Sequence, residues 1–378
     1  MMNKLTGLLL FISLVSCTSR NEPGKDKPED LFGNNWRKKI DYSSPEKYLV
    51  NDGQSALTSD YIKIIGDNLS ANQADYSGIV KVIMFKERYF TSYSGGGAYI
   101  GKLTINDLFR DKKLSGCHDH ALVVAGVLRF LGYPVVMVDC ADINWAQNYP
   151  KNPDSGFIGH VFLEVFVENK WILLDPTGGF FSTVYDHDSP VIRTQYKAAV
   201  SEYYVIFKGL DTNEYGIFTS NELNDNLKTF ADNIGKIDLE SPVYTFINYI
   251  DYFISEINSF EKKNKIDLTV NFKYTGKYNV DADHQIIIQI DHFKSGFPIS
   301  QIKTDQAQGQ VSFNNIYVAV DVVYLIGWLD NDSSGAASAG DPTLRQLDSN
   351  NDPVPVCIIN GAVVVSVEFD DSLLWPLN

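Results

Sequence analysis

Hydrophobic residues in the first part of the chain recur at steps of three and four, which is the spacing of one helix face. This pattern predicts mostly helical segments over residues 59–69 and 73–90, followed by a loop around Gly95. Residues 117–131 are apolar on almost every face, and a helix of that kind must be buried. Gly132 supplies the signal that ends it.

Runs of β-branched and aromatic residues after this helix predict three consecutive strands. They cover residues 134–139, 158–167 and 170–174. Helical spacing then returns over 219–234 and 242–260, and the second segment carries an apolar stripe that needs a packing partner. We expect a domain boundary at the polar, lysine-rich segment 261–265.

From residue 266 the pattern changes to short strands separated by turns. The strand candidates are DLTVNFKY, HQIIIQIDHF, VSFNNIYVAVDVVYLIGWL, PVPVCII and AVVVSVEF. Asn360-Gly361 between the last two predicts a hairpin, because both turn residues accept positive φ. The whole pattern indicates an α+β protein, in which a mixed domain over 35–262 precedes a small all-β, antiparallel, immunoglobulin-like sandwich over 266–378.

The N-terminus has the composition of an export signal. Residues 1–16 contain one lysine, a short apolar run and small residues directly before Cys17, and the run is too short for a stable membrane span. Leu14-Val15-Ser16-Cys17 resembles the lipobox of bacterial lipoproteins, which implies cleavage before Cys17 and lipidation of its thiol. Residues 17–34 are then a flexible tether, and the protein is expected in the bacterial cell envelope, periplasmic or surface-exposed.

Composition narrows the function classes. The chain has 378 residues and a net charge of −15, and a surface this acidic repels polyphosphate, which argues against nucleic-acid binding. Four cysteines are too few for a small disulfide scaffold. The apolar stretch 316–329 is short and contains Asp321, so we interpret it as buried strand rather than membrane span.

Candidate chemistry begins where a loop enters the buried helix, at Gly116-Cys117. Unpaired N–H groups and the positive end of the helix dipole favour a thiolate there, and the thiolate is the nucleophilic form of cysteine. The Cys117 N–H is also placed to stabilise an oxyanion. The alternative is a buried cysteine that acts as a small hydrophobe.

A histidine and a carboxylate are aligned on the following strands. If the strands before and after Glu168-Asn169 form a hairpin, Val167 faces Lys170, and His160 and Asp175 become diagonal neighbours on one face. A one-residue slip would separate them. In this register Asp175 fixes the tautomer of His160 and stabilises its imidazolium form.

The segments GCHDHALVVAGVLRFLGYP and GHVFLEVFVENKWILLDPT resemble the transglutaminase-like superfamily in the order and spacing of Cys, His and Asp. The resemblance covers about residues 105–180 and implies a papain-like fold. It places Cys117, His160 and Asp175 in the nucleophile, base and orienting positions. His118 and His120 stand where many members have small or polar residues, so substrate specificity does not carry over.

The resulting expectation is a lipid-anchored cysteine enzyme that acts on amide bonds of protein or peptide substrates through a thioester, without metal or organic cofactor. Its partners are the substrate and, through Cys17, the membrane; the oligomeric state stays open. Hydrolysis and acyl transfer to an amine both remain open. The alternative is a non-catalytic binding or adhesion lipoprotein that uses the papain-like fold as a scaffold. A third interpretation, glycan binding by the C-terminal domain, is suggested by Trp328 and Trp375.

Weaker motifs receive structural interpretations. His118-Asp119-His120 is expected to cap and pack a helix start rather than bind metal, since residues two apart on a helix do not face each other. The segment 330–341 matches half of a calcium loop but follows a strand, so a solvent loop is favoured. The segment 186–188 is expected to be a solvated loop. Cys140 and Cys357 are expected to be buried and reduced, and a Cys117–Cys140 disulfide depends on an unknown separation.

Overall fold

Helices and strands are both abundant, so the chain is a mixed α+β protein as the residue pattern predicts. A computed structural model describes residues 40–69, 75–92, 103–152, 158–211, 231, 241–256, 264–293, 296–318, 322–345, 354–358 and 362–375.

The helices confirm the three strongest helical predictions before residue 131 and add shorter ones. The α-helices of the described segments are α1 (Ser59–Asn68), α2 (Tyr76–Tyr89), α3 (Ile105–Asp111), α4 (Cys117–Phe130), α5 (Ile143–Asn148) and α6 (Tyr249–Glu256). Helix α3 begins with a reciprocal capping box between Thr104 and Asp107, and the Asp142 side chain caps α5.

Helix α4 ends at the glycine that the sequence indicates. Gly132 has φ +92°, and its N–H donates to the Arg129 carbonyl at 3.0 Å while Tyr133 N–H donates to the Leu128 carbonyl at 3.0 Å. These bonds use carbonyls that the last helical turn leaves unpaired, and glycine adopts the left-handed conformation without a Cβ clash. The chain is therefore turned directly into the next strand.

Within the described segments, eight strands form one large sheet. They are β3 (Val135–Asp142), β4 (Gly159–Val167), β5 (Lys170–Asp175), β6 (Phe180–Ser182), β7 (Val191–Tyr196), β8 (Ala199–Gly209), β9 (Val243–Thr245) and β10 (Ile247–Asn248). Their order in the sheet is β10-β6-β5-β4-β3-β8-β7-β9. Two short strands, β1 (Thr91–Ser92) and β2 (Lys113–Leu114), pair separately in parallel. The three predicted consecutive strands are confirmed as β3, β4 and β5.

The buried helix packs between the other helices and the sheet. Helix α4 contacts α2, α3, β3 and β4, and its residues from His118 to Arg129 are buried. Leu122, Val123 and Val124 are fully excluded from solvent, and burial of each such side chain contributes about 1.5–3 kcal/mol. The mostly apolar surface of this helix is thus explained by its burial among these neighbours.

The β4–β5 hairpin has the predicted register. Val167 pairs with Lys170 and Leu163 pairs with Leu174, and the turn residues Glu168 and Asn169 have φ of +48° and +62°. Positive φ at both positions is the requirement of a type I′ turn, which matches the twist of the flanking strands. The turn therefore fixes which residues of β4 and β5 share a face.

The helix predicted over 242–260 begins seven residues later than expected. Residues Val243–Thr245 form β9, which pairs in parallel with Arg193–Gln195, and Ile247–Asn248 form β10, which pairs with β6. Because the segment Val-Tyr-Thr suits an extended backbone, open sheet edges outweigh the helical spacing of its apolar residues. Only Tyr249–Glu256 is helical among the described residues here.

The C-terminal strands form two sheets around one core. They are β11 (Asn264–Tyr274), β12 (Ile286–Phe293), β13 (Gly296–Thr304), β14 (Gln308–Val318), β15 (Val322–Leu329), β16 (Thr343–Arg345), β17 (Pro355–Cys357) and β18 (Val363–Phe369). One sheet has the order β14-β11-β18 and the other β13-β12-β15-β16, with β17 also paired to β15. Side chains from both sheets meet in one apolar cluster. Residues 316–329 contribute to two of these strands, as expected for buried β-structure.

Two details of this region differ from the sequence expectation. Strand β18 runs parallel to β11, so the arrangement is not wholly antiparallel. The predicted turn Asn360-Gly361 lies outside the described residues, and the described strands before and after it have other partners: β17 pairs with β15, and β18 pairs with β11 in the other sheet. The turn dipeptide indicates a change of direction, but the partner of each strand depends on which sheet edge is free.

Several predicted features lie outside the described residues. They are the signal 1–16, Cys17, the tether 17–34, the loop around Gly95, the boundary 261–263 and, apart from Ala231, the helix 219–234. Within the described segments, no helix combines the length and hydropathy that crossing a membrane requires.

Candidate active site

Cys117 occupies the first position of α4, directly after the extended residue Gly116. The loop before it is held by Asp119, whose Oδ2 accepts from the Ser115 N–H and hydroxyl at 2.8 Å each. The predicted capping is not found, because the N-cap residue Gly116 has no side-chain cap and Asp119 instead holds the loop before it, but all three residues 118–120 are buried, as predicted for packing at the helix start. The thiol is half-buried and lies at the positive end of the helix.

The structure brings His160 and Asp175 together. His160 Nε2 lies 3.0 Å from Asp175 Oδ1, and the two side chains are only 16% and 17% exposed. His160 opens β4 and Asp175 closes β5, so the hairpin register places them as diagonal neighbours on one face. The geometry predicted from the sequence is present.

The third member joins them across the helix start. Cys117 lies close enough to His160 to influence the pKa of its ring, so sulfur, imidazole and carboxylate form one interacting group. Asp175 Oδ1 also accepts from the N–H groups of Thr177 at 2.9 Å and Gly178 at 3.4 Å. The turn after β5 therefore orients the carboxylate toward the ring.

The charges of these groups follow from their contacts. Burial opposes the imidazolium, but hydrogen bonds and electrostatic attraction to Asp175 and Cys117 outweigh it and raise the pKa of His160 to about 10. Burial also opposes the Asp175 carboxylate, yet His160 and the two turn N–H groups lower its pKa. At neutral pH the ring is an imidazolium beside an ionised carboxylate.

Aromatic rings border the imidazole. The ring centroids of Phe162 and Tyr203 lie 4.7 and 5.6 Å from that of His160. Phe162 is on the same strand and Tyr203 is on β8, so the ring of His160 is held by both neighbours. This packing limits rotation of the imidazole away from Asp175.

The other two described cysteines, Cys140 and Cys357, differ in their exposure to solvent. Cys140 pairs with His160 across β3 and β4 and is buried, and burial raises the pKa of its thiol. Cys117, Cys140 and Cys357 are all free, so the Cys117–Cys140 disulfide is not formed. Cys357 is exposed, which corrects the expectation of a buried thiol: the side chain of the preceding residue, Val356, takes the inward position on β17.

Two residues at the site were missed or underestimated by sequence reasoning. Lys86 on α2 is 1% exposed and donates to the carbonyls of Pro176 and Thr177. It lies on the apolar stripe of its helix, three residues after Ile83, and a lysine in that place is the signal that was available. His120 is buried one helical turn after Cys117 and interacts electrostatically with Asp175 and His160.

A group of carboxylates in the C-terminal part has ligand-like spacing. Asp330, Asp332 and Asp341 have oxygens within 4.8 Å of one another. Asp330 accepts from the N–H groups of Ser334 and Gly335, and Asp341 accepts from that of Asn331. Asp330 and Asp341 are buried, so the predicted solvent loop is partly folded in, and these internal bonds account for the burial.

Two other sequence expectations are revised by burial and contacts. Trp328 is 5% exposed and packs 6.0 Å from Trp375, so its ring is not available as a glycan-stacking surface. His187 stacks on Tyr42 with ring centroids 3.7 Å apart, so the 186–188 segment is only partly solvated. The His187 carbonyl also accepts a hydrogen bond from Lys208 Nζ at 2.7 Å.

The fold is distantly similar to those of several solved structures. No protein-family model and no curated protein sequence matches the chain. A crystal structure described as that of a candidate cysteine protease from Cytophaga hutchinsonii aligns at 15% identity and a TM-score of 0.31, over 46% of this chain and 50% of that one. Red sea bream transglutaminase aligns at 12% identity and a TM-score of 0.27, over 80% of this chain and 66% of that one.

A pilus-presented adhesin aligns at 9% identity and a TM-score of 0.16, over 81% of this chain and 60% of that one. The chain thus spans between half and 66% of the length of these proteins. The neighbours therefore include a cysteine protease description and a transglutaminase, but at these TM-scores the case for a function rests on the side chains themselves.

Proposed function

We propose that this chain is a transglutaminase-like cysteine enzyme that acts on amide bonds of protein or peptide substrates. The observation that carries the proposal is the connected group of Cys117, His160 and Asp175 at the start of a buried helix. With it we propose that the helical part and large sheet are a papain-like catalytic unit, and that the C-terminal sheets are an immunoglobulin-like sandwich.

In the proposed acylation step, the Cys117 thiolate attacks the carbonyl carbon of an amide, and a carbon–sulfur bond forms. The carbonyl oxygen becomes an oxyanion that the free Cys117 N–H at the helix start is placed to stabilise. The carbon–nitrogen bond then breaks, and the imidazolium of His160 gives its proton to the departing amine. A thioester and a neutral imidazole remain.

In the proposed second step, His160 removes a proton from the group that attacks the thioester. The attacking oxygen or nitrogen forms a bond to the thioester carbon and the carbon–sulfur bond breaks, which returns Cys117 to the thiolate and leaves the proton on His160. With water the product is a carboxylic acid and hydrolysis is complete, whereas with a primary amine the product is a new amide and acyl transfer is complete. Asp175 keeps the imidazole in the tautomer that both steps need. No described residue indicates a binding site for an amine that would accept the acyl group, and water is abundant, so we favour hydrolysis.

The proposal is tested by trapping the thioester. The full chain is exposed to a peptide library and quenched in acid, and its tryptic peptides are examined by mass spectrometry. We expect a mass increase on the peptide that contains Cys117, and none in the Cys117→Ala variant. Added hydroxylamine should release the adduct, because it cleaves thioesters.

The matched control is Cys140→Ala, which removes a buried thiol beside His160 and should leave the adduct on Cys117. Failure to find an adduct with any peptide, together with alkylation of Cys117 no faster than that of a model thiol, would favour the scaffold alternative. In that case the papain-like unit would present a surface for binding or adhesion rather than perform chemistry.

We also propose that the chain is exported and anchored in the bacterial cell envelope by lipid on Cys17. The support is the sequence of residues 1–17, with its short apolar run before a cysteine. Growth of expressing cells with a labelled fatty acid should label the protein, and Cys17→Ser should abolish the label. Equal label in both variants would contradict the anchor.

A further inference from the structure

We infer that Lys86 is a positioning residue for Asp175: its buried ammonium group holds the turn whose peptide groups orient the carboxylate. This inference rests on the proposed function, since it assigns Lys86 a role in the same site. Among the described residues, Lys86 donates to the turn after β5 and contacts Glu87 rather than His160 or Cys117, so it acts through the turn.

The ammonium group of Lys86 has three acceptors. Nζ donates to the carbonyls of Pro176 at 2.7 Å and Thr177 at 3.1 Å, and it lies 2.6 Å from Glu87 Oε1. An ammonium has three protons, so each contact can use one. A buried charge with all its donors paired is rigidly placed, because loss of any one contact leaves an unsatisfied group.

The two carbonyls belong to the turn that holds Asp175. The Thr177 N–H donates to Asp175 Oδ1 at 2.9 Å, and the Gly179 N–H donates to the Asp175 carbonyl at 3.0 Å. Lys86 thus binds one side of the same peptide segment that binds the carboxylate from the other. Movement of this segment would shift Oδ1, which lies 3.0 Å from His160 Nε2.

Burial, with a smaller contribution from the charge of Lys86, keeps the neighbouring imidazole of His120 neutral. His120 is buried near Asp175 and His160, and its Nδ1 has no hydrogen-bond partner among the described residues. Burial and the nearby positive charges of Lys86 and His160 lower the pKa of His120 to about 4. His120 therefore stays neutral at pH 7, and the protonated ring beside Asp175 is that of His160.

The test replaces the ammonium without changing the shape of the side chain. Lys86→Met keeps a straight apolar stem of similar length, and Lys86→Gln keeps one group that can donate to a carbonyl. The readouts are the low-field proton resonance of the His160 N–H that faces Asp175, and the rate at which iodoacetamide alkylates Cys117 at about pH 6. Neither readout needs the natural substrate.

We expect Lys86→Met to lose or broaden the low-field resonance and to slow alkylation by roughly tenfold to a hundredfold, the scale on which a small misplacement of a reacting group acts. Lys86→Gln should fall between Lys86→Met and the unaltered chain. Asp175→Ala provides the reference for complete loss of the resonance.

Val82→Ala is the matched control for stability, because Val82 is fully buried on the same helix and its apolar side chain cannot form a hydrogen bond to the turn. It should lower the melting temperature and leave both readouts unchanged. If Lys86→Met or Lys86→Gln melts earlier but keeps the resonance and alkylates within about twofold of the unaltered chain, Lys86 is structural only and the inference is overturned. If the unaltered chain shows neither the resonance nor fast alkylation, the proposed function itself fails.

Discussion

Single residues in this molecule show two ways of accommodating a buried ionisable group. Glu164 is fully buried and is satisfied by Lys208, Tyr42 and Tyr185, whose polar atoms all reach its carboxylate. Asp139 has a buried oxygen with no hydrogen-bond partner in the described part of the chain. The neighbours of Glu164 supply its carboxylate with hydrogen bonds, whereas burial of Asp139 favours its protonated form.

Replacement of Asp139 by asparagine should stabilise the protein at alkaline pH. Burial raises the pKa of Asp139 from 3.8 to about 7. Between those values the unfolded chain releases the proton before the folded one, so the free energy of unfolding falls as pH rises from about 4 to 7. Asp139→Asn has no such loss.

The expected result is a melting temperature that exceeds that of the unaltered chain at about pH 8, with a difference that shrinks or reverses at about pH 4. Thermal melts across this range provide the measurement. Glu202→Gln, a substitution at a half-buried residue paired with Arg193, is a control that should lack this pH dependence of the difference. A difference that is the same at both pH values would contradict the account.

The residues of the candidate site were found from sequence because they stand where elements begin or end. Cys117 opens a helix, and the histidine and aspartate lie at the ends of two strands of one hairpin. The hairpin register alone brings the histidine and aspartate close, whereas Cys117 reaches them through packing of α4 on β4. Lys86 could not be assigned in this way, because its contacts with residues 176 and 177 cross from a helix to a turn ninety positions later. Such a pairing depends on how the helix packs.

Elements are specified by local signals where the turn chemistry is strong. The β4–β5 hairpin has the register expected from its turn, and a shift of one residue would move Asp175 to the opposite face. Residues 242–248 have the apolar spacing of a helix, but they form strands instead, because they pair with the free edges of β7 and β6. The local residue pattern therefore predicts helix or strand correctly where no open sheet edge is available to pair with the segment.

The turn of this hairpin can be improved without touching the site. Glu168 has φ +48°, a conformation that costs most side chains about 1 kcal/mol and asparagine less. Glu168→Asn should therefore raise the free energy of unfolding by a few tenths to about 1 kcal/mol. Chemical denaturation measures it.

Glu168→Gln serves as its control, because it removes the same charge and keeps a side chain that is unfavourable at positive φ. It should leave the free energy of unfolding nearly unchanged. Equal effects of the two substitutions would assign the gain to charge rather than to backbone conformation.

At the scale of the whole molecule, the helical part and the C-terminal strands share packing contacts. Phe253 on α6 is fully buried, and its ring centroid lies 4.8 Å from that of Phe293 and 5.2 Å from that of His292. Phe293 ends β12 and belongs to the same apolar cluster as α2 and α4. The pairing of β17 and β18 with different sheets is a further non-local choice that no dipeptide signal contains.

Phe253→Ala should weaken this connection. Loss of a fully buried phenylalanine costs about 3–5 kcal/mol, and the loss falls on contacts that join the two parts. We expect a lower melting temperature and a calorimetric transition that broadens or splits into two. Ile254→Ala, at the exposed neighbouring position of the same helix, should have little effect. A single sharp transition with unchanged midpoint in Phe253→Ala would show that the contact is not stabilising.

The most direct test of the account is the alkylation rate of Cys117 at about pH 6. In a chain carrying Cys17→Ser and Cys357→Ser, the remaining thiols are Cys117 and the buried Cys140, which is an internal control. If His160 activates Cys117, iodoacetamide modifies Cys117 much faster than a model thiol, Cys140 is spared, and His160→Ala removes the advantage. Modification of Cys117 no faster than a model thiol, or unaltered by His160→Ala, would contradict the account.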